Sequence, residues 1–210
     1  MAADERGAAP KRTGRRPGAT VSRQAILQAA QSRFAEQGYG GASVRGIAQD
    51  AGVDAALVHH FFGSKEGLFT ASIHDALHPR VVVAAVLDGG VRGTGERLLR
   101  AFLGLWEGEP TSRQMRGILR SAVSHEAAAR MLREFLTGEV LAPIARAAGK
   151  DEPEVRASLV ASQLVGLAMT RYLVRVEPLT AMSPDQVVAA VAPTLQRYLT
   201  GPLPGPAPDA

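Results

Sequence analysis

Residues 43–65, SVRGIAQDAGVDAALVHHFFGSK, decide the fold. Ser43 is placed to cap a short helix over about 44–51, taking up amide donors that a first helical turn leaves without partners. Ile47 and Ala51 share one face, and Ala48 is small enough for a second helix to cross closely. Gly52 stands where the chain needs a left-handed residue to leave the helix. Val53 is then the apolar residue of the turn. Asp54 caps the next helix, and Leu57, Val58, Phe61 and Phe62 supply its buried side. Two short helices joined by a glycine turn, with His59 and His60 at the outer end of the second, make a helix-turn-helix suited to the DNA major groove. Glycine also ends helices in ordinary bundles. The coincidence of caps, crossing residue, turn glycine and apolar side favours the nucleic-acid reading.

Composition narrows the class. The chain has 210 residues, a hydrophobic fraction of 46%, no cysteine and a net charge of +4, and its mean hydropathy is near zero. That length supports a buried core. Without cysteine there are no disulfides, thiolate metal sites or cysteine nucleophiles. No apolar run approaches the roughly 20 residues of a membrane span, and the N-terminus lacks the apolar segment of a signal peptide, so the expected location is cytoplasmic. The charge is concentrated. Residues 6–16 hold Arg6, Lys11, Arg12, Arg15 and Arg16 and no acid. A basic arm over 1–19, with Arg15 and Arg16 nearest the reader, can lie along phosphates or enter the minor groove. The last ten residues, GPLPGPAPDA, are too rich in proline and glycine to pack and are expected to be disordered.

Between these ends the pattern is helical throughout. A first helix begins after Thr20 or Ser22, carries Ile26, Ala30 and Phe34 on one side, and stops at Gly38. Ser64 caps a fourth helix, with Glu66 in its first turn suited to the helix dipole. Pro79 ends or bends it. Residues 80–87, RVVVAAVL, fit strand or buried helix by period and are assigned helix from context. Further helices are expected over about 95–107, 111–123, 125–148 (broken or kinked at Pro143), 152–176 and 184–199. The domain scheme is an arm (1–19), a three-helix DNA-binding unit (20–65), a helical effector-binding and dimerisation body (66–200) and a tail (201–210).

Residues 22–69 resemble the TetR family of one-component transcriptional regulators: a first helix ending FAEQGYGGASV, then IAQDAGV, then a recognition helix ending FFGSKEGLF. Residues 152–200 also resemble a C-terminal subtype of that family, through ASQLVGLAMTRYLVRVEPL and VAPTLQRYL. The resemblance implies an all-α regulator with an N-terminal helix-turn-helix and a larger C-terminal helical domain for ligand binding and dimerisation. It further implies that Arg45 reaches a base or phosphate, that Ala55 and Ala56 face the groove beside Asp54, that His59 and His60 contact bases and backbone, and that Lys65 binds phosphate. The chemistry of these types agrees. Arginine forks to guanine O6 and N7, and the alanines offer methyl contacts. Lysine beside helix-terminal amides makes a phosphate clamp. Three positions depart from the usual pattern: His60, where Tyr is commoner; Phe61, where His is commoner; and Asp54, where Ser or Thr is frequent. A carboxylate repels phosphate, so Asp54 reads as a cap turned onto its own helix.

The larger body offers Phe102, Leu105, Trp106, Met115, Leu119, Val123, Leu164, Leu167, Met169 and Tyr172 as pocket candidates for a small uncharged or weakly acidic effector. Trp106 and Tyr172 each combine an apolar ring with a polar atom. Arg171 reads as an ion pair at a dimer seam or as an anchor for an acidic ligand. An apolar stripe of Ala161, Val165, Ala168 and Tyr172, and another of Val187, Val191, Leu195 and Tyr198, suggest a four-helix homodimer seam. His74, Asp75 and His78 have the spacing of metal ligands but no third partner, and no metal or cofactor is expected. No nucleophile elbow or phosphate loop occurs, so an enzyme is disfavoured. The competing readings are a ligand-independent architectural DNA binder and an activator in place of a repressor.

Overall fold

The computed structural model describes residues 17–203. Every regular element among them is helical. The elements run α1 (Pro17–Gly41), α2 (Val44–Asp50), α3 (Ala55–Phe62), α4 (Lys65–Leu77), α5 (Pro79–Leu87), α6 (Thr94–Glu107), α7 (Thr111–Ser124) and α8 (Glu126–Glu134). A π-helical stretch, Phe135–Leu141, then leads into α9 (Ala142–Ala147). After α10 (Pro153–Ala168) come a second π-helical stretch, Met169–Leu173, a 3₁₀ turn, Leu179–Ala181, and α11 (Pro184–Thr200). Residues 1–16 of the expected arm, Arg15 and Arg16 included, fall outside the described residues, as does most of the tail, while 17–19 are helical as the start of α1. No described helix is long and apolar enough to cross a membrane.

The order of helices follows the sequence pattern, with three differences of physical interest. Helix α1 starts at Pro17 rather than after Thr20, and it does not stop at Gly38. The residue adopts φ 69° and ψ 176°, a left-handed kink, and helical turns resume to Gly41. The expected helix over 125–148 is three pieces, α8, a π turn and α9, with Pro143 in the first turn of α9, directly after the π stretch. The long helix over 152–176 is α10 followed by the second π turn. Val-rich residues 80–87 are helical, with Pro79 in the first turn of α5.

The reader and the body share one apolar core. In the reader, Ile26, Leu27, Ala30 and Phe34 of α1 meet Ile47 and Ala48 of α2, Val58 of α3, and Leu68 and Phe69 of α4, all buried. Helix α1 then packs extensively on α7 of the body. Gly117 lies at that crossing. A Cβ there would come within 2.5 Å of Ala35 Cα and 2.9 Å of Phe34 O, both backbone atoms that cannot swing aside. In the body, α6 and α11 pack closely, and the Gly95 amide donates to Gln196 Oε1 at 2.9 Å. Arg156, 1% exposed, ties the start of α10 to the end of α11 by donating to the carbonyls of Tyr198 and Gly201 at 2.8 and 2.9 Å.

Much of the two apolar stripes expected at a dimer seam packs within the subunit, while Val191 and Tyr198 stay half-buried. Val187 and Leu195 are fully buried within the subunit, Ala161, Val165 and Ala168 line an internal cavity, and Tyr172 stacks on Trp106. An apolar helix face pairs equally well with its own subunit or with another, and here the subunit's own core takes it. The exposed residues of α10 and α11 include a set of small ones, Ser158, Ser162 and Gly166 on the first and Ala189, Ala190 and Pro193 on the second, alongside larger ones such as Glu154, Val155 and Arg197.

Gly117→Ala should therefore destabilise the fold by about 1–3 kcal/mol, the usual cost of forcing a methyl group into a packed contact. Urea unfolding checks this; an unchanged midpoint would mean that α1 and α7 do not cross at Gly117.

Candidate nucleic-acid interface and effector cavity

Each short helix of the reader is started by a side-chain cap. Ser43 Oγ accepts from the Gly46 amide at 3.1 Å, Asp54 Oδ1 from the Ala56 amide at 2.7 Å, and Ser64 Oγ from the Gly67 amide at 3.2 Å. The Asp54 carboxylate is thus directed at its own helix, which keeps its charge occupied next to where a phosphate backbone would run. Arg33 forms a two-pronged ion pair with Asp50, one contact being Nη2 to Oδ1 at 2.9 Å, and so ties α1 to the end of α2. Val58 is buried while its neighbours His59 and His60 are exposed.

Of the expected DNA contacts, Arg45, Ala56, His59 and His60 are exposed, and Ala55 and Lys65 are half-buried. Arg45 stands in the first turn of α2 and makes no hydrogen bond or ion pair among the described residues. The His59 ring places Nδ1 3.0 Å from Gly63 O, so with Nδ1–H donating there, Nε2 is the atom left for another partner. The His60 ring meets the Phe61 ring edge-on at 5.2 Å. Lys65 is held differently: its Nζ lies 4.4 Å from the centroid of the Tyr39 ring, and desolvation lowers its pKa from the ordinary lysine value.

That ring belongs to a residue the sequence reading passed over. Tyr39 follows the kink at Gly38, and its amide donates to Ser121 Oγ on α7 at 2.8 Å. Ser121, fully buried, in turn donates a hydrogen bond from its hydroxyl to Gly117 O at 2.7 Å. The Tyr39 ring stacks on Phe34 at 6.1 Å and meets Phe69 of α4 edge-on at 5.1 Å and His125 at 5.9 Å. Its hydroxyl donates to Glu66 Oε1 at 2.7 Å. Burial first, and then the bond to Glu66, push the phenol up to about 12, so it remains a donor across the neutral range. The same bond is the main reason that the Glu66 carboxyl titrates below its ordinary range. One residue, through its amide and its ring, thus joins α1, α4 and α7. Only Gly38 hinted at this in the sequence, because Ser121 is 82 residues away.

The body encloses a cavity of about 80 Å³. Its wall includes six of the expected pocket residues, Phe102, Leu105, Trp106, Met115, Leu119 and Leu164. Leu167, Met169 and Tyr172 are not in the wall. Leu167 is buried elsewhere in the core, and the π turn at Met169–Leu173 re-phases the helix, so that Tyr172 packs outside, stacked on Trp106 at 4.9 Å and 7°. Val123 is 68% exposed and faces away. The residues not anticipated are Leu77 of α4, Val82 of α5, Leu132 of α8, and Phe135, Leu136, Val140 and Leu141 of the first π stretch. Every residue of the wall is apolar.

Two family descriptions match the chain. That of the tetR family of bacterial regulatory proteins covers residues 26–71, and that of the tetracyclin repressor-like C-terminal domain covers residues 93–199. The chain belongs to the TetR family. A TetR-family regulator of Streptomyces coelicolor A3 has a similar structure, with 39% identity and a TM-score of 0.64, over 89% of this chain and 98% of that one. The HTH-type transcriptional repressor AcnR of Corynebacterium glutamicum is 48% identical over 52 residues, 25% of this chain and 28% of AcnR. The HTH-type transcriptional regulator BetI of Rhizobium meliloti is 44% identical over 57 residues, 27% of this chain and 28% of BetI. The chain thus aligns with less than a third of the length of these curated relatives.

The remaining polar groups of this TetR-family body serve its own structure. Arg171 is an intrachain tie rather than a seam contact. Its guanidinium donates to the carbonyls of Leu179 and Met182 and lies 3.3 Å from Glu107 Oε1; its Nε is buried without a partner among the described residues. Tyr172 donates to the same Glu107 oxygen at 3.1 Å. The histidines of the H-D-x-x-H run diverge: His74 Nε2 meets Glu139 Oε1 at 3.0 Å, Asp75 accepts from Gln31 at 2.8 Å, and His78 takes a left-handed conformation between α4 and α5.

Tyr39→Phe keeps the ring and removes only the hydroxyl. A carboxylate with a lowered pKa stabilises the fold above its unfolded pKa, about 4.3, and loses that contribution as pH falls through the folded value. The variant should be less stable than the parent near neutral pH, and the gap should close below about pH 4. Urea unfolding at several pH values measures it; a gap independent of pH would sever Glu66 from Tyr39.

Proposed function

We propose that this chain is a homodimeric, ligand-responsive repressor that binds a pseudo-palindromic operator. The observation that carries the reading is the outer face of the helix-turn-helix: Arg45, Ala56, His59 and His60 stay exposed on side-chain-capped helices whose other sides pack against the core. In this reading residues 20–65 are the DNA-binding unit and 66–200 the effector and dimer body, in the cytoplasm. Arg45 forks to a base, Ala55 and Ala56 contact thymine methyls, and His59 and His60 reach base edges and backbone. Lys65 and the arm arginines Arg15 and Arg16 hold phosphate. Two-fold symmetry of the dimer makes the operator two-fold as well. The small residues exposed on α10 and α11 permit close helix approach between subunits.

Release follows from the size of the cavity. Small-molecule sites run to about 300–1,000 Å³, so an effector must push apart walls that now enclose about 80 Å³. Two of those walls belong to helices that also hold the reader: α4, which ends at Leu77, and α7, which carries Met115, Ile118 and Leu119 toward the cavity and Gly117 and Ser121 toward α1. A molecule that binds the expanded state better than the closed one shifts the population by that difference, and DNA weakens its binding to the same extent. No reaction chemistry is assigned to the body.

Selection of bound sequences from random duplex DNA, followed by footprinting, tests the function; uniform coverage of DNA without a preferred inverted repeat would refute it. Arg45→Ala should cost about 1–3 kcal/mol and relax preference at one base position in each half-site. Lys65→Ala should weaken all sequences alike and reduce the salt slope by about one. Unchanged affinity and preference in Arg45→Ala would remove that residue from the interface.

A further inference from the structure

The two histidines at the outer end of α3 are adjacent in sequence but differ in chemistry. The Gly63 amide donates to His59 O at 2.8 Å and closes the helix. The carbonyl oxygen of the same glycine lies 3.0 Å from His59 Nδ1. A carbonyl only accepts, so the single proton of the neutral ring sits on Nδ1. Two lone pairs facing each other at that distance would repel, which excludes the other tautomer. His59 is thus tied to Gly63 twice, through its backbone and through its ring. The consequence falls on Nε2, which carries a lone pair and has no proton to give. The residue is exposed, and Nε2 has no hydrogen bond or ion pair among the described residues. His60 differs. Its ring meets Phe61 edge-on at 5.2 Å, and no hydrogen bond among the described residues fixes its proton.

We infer that His59 is a specificity-determining residue that accepts, through Nε2, a hydrogen bond from a base's exocyclic amine in the major groove, cytosine N4 or adenine N6, and makes no phosphate contact. The inference rests on the DNA-binding reading and narrows it, since that reading gives both histidines bases and backbone alike. An acceptor finds few partners in the groove. Phosphate oxygens, guanine O6 and N7, adenine N7 and thymine O4 are acceptors themselves, and the two amines are the only donors that base edges present there. The ring also needs no ordering on contact, because the Gly63 bond already holds it, and such preorganisation favours binding. Phosphate is left to His60 and Lys65, which have protons to give.

The test has two stages, both on the full chain. Long-range nitrogen–proton correlation NMR of the free protein should show His59 with Nδ1 protonated and Nε2 bare; the signals that vanish in His59→Ala identify the ring. A protonated Nε2 on the neutral ring would overturn the inference before DNA is added. Selection from random duplexes at about pH 8, where histidine is ordinarily neutral, then compares parent and variant. His59→Ala should keep the slope of affinity against salt and lose a preference of about tenfold at one base pair of each half-site. At that pair, base analogues delete the amine: 2-pyrimidinone in place of cytosine, or purine in place of adenine. Deletion should cost the parent about tenfold and cost His59→Ala nothing further, and the analogue that does so names the base. Replacing the purine of the pair by its 7-deaza form should leave the parent unaffected. The analogue arms on the parent stand even should the variant not fold. A 7-deaza loss without an amine loss would make His59 a donor and overturn the inference. So would base preferences identical in parent and variant, or a loss shared by all sequences with the salt slope smaller by about one, the mark of a phosphate contact. A parent that selects no inverted repeat at all would overturn the DNA-binding reading, and this inference with it, whatever the tautomer.

Discussion

A kinked helix leaves amide groups that must find partners, and in this molecule the partner of one such group lies in the other functional half. Past Gly38 the Tyr39 amide is buried and donates to Ser121 of α7. A buried amide without an acceptor would be costly, so the kink and the serine require each other. From that fixed backbone position the Tyr39 ring reaches Phe69 and Lys65 on α4, and its hydroxyl reaches Glu66. The DNA-reading helices α2 and α3 are short and depend on packing against α1 and α4 for stability. Their orientation relative to the body is therefore set where α1, α4 and α7 meet.

Helix α7 serves both halves through its own periodicity. Met115, Ile118 and Leu119 look into the cavity, while Gly117 and Ser121 look toward α1. A shift of the helix that enlarges the cavity moves both sets together, because a packed helix behaves as a rigid body rather than as independent side chains. Helix α4 repeats the arrangement along its length. Lys65, Glu66 and Phe69 at its start belong to the joint, and Leu77 at its end belongs to the cavity.

Features governed by near neighbours were legible in the sequence. The caps Ser43, Asp54 and Ser64 and the turn at Gly52 each depend on residues a few positions apart and take their expected form; on the expected apolar side of α3, Val58 is buried and Leu57, Phe61 and Phe62 are partly buried against the core. Within the body, amphipathic period located Phe102, Trp106, Met115, Leu119 and Leu164 on the cavity wall. It failed for Met169 and Tyr172, because a π turn advances the chain by an extra residue and rotates the side chains beyond it to another face. It also misdirected the apolar stripes of α10 and α11, since period reports that a face is buried but not against what. The Tyr39–Ser121 contact had no local signature. Gly117 reads in sequence as a weak helix former, and only the crossing with α1 explains it.

The joint also limits how this protein could be recombined with its relatives. A boundary drawn after residue 65 looks natural by sequence, since the helix-turn-helix is contiguous and its caps are self-contained. Yet the complement of Tyr39 sits on α7, as a serine acceptor and a glycine gap matched to the backbone of Phe34 and Ala35. A reader grafted onto a foreign body inherits its DNA preference from α2 and α3 but arrives with an unmatched socket. The transferable unit is the reader plus one face of α7, a discontinuous set of residues. Chimeras that keep Gly117 and Ser121 in register preserve the seat of α1 on α7, and those that exchange everything after α4 lose it.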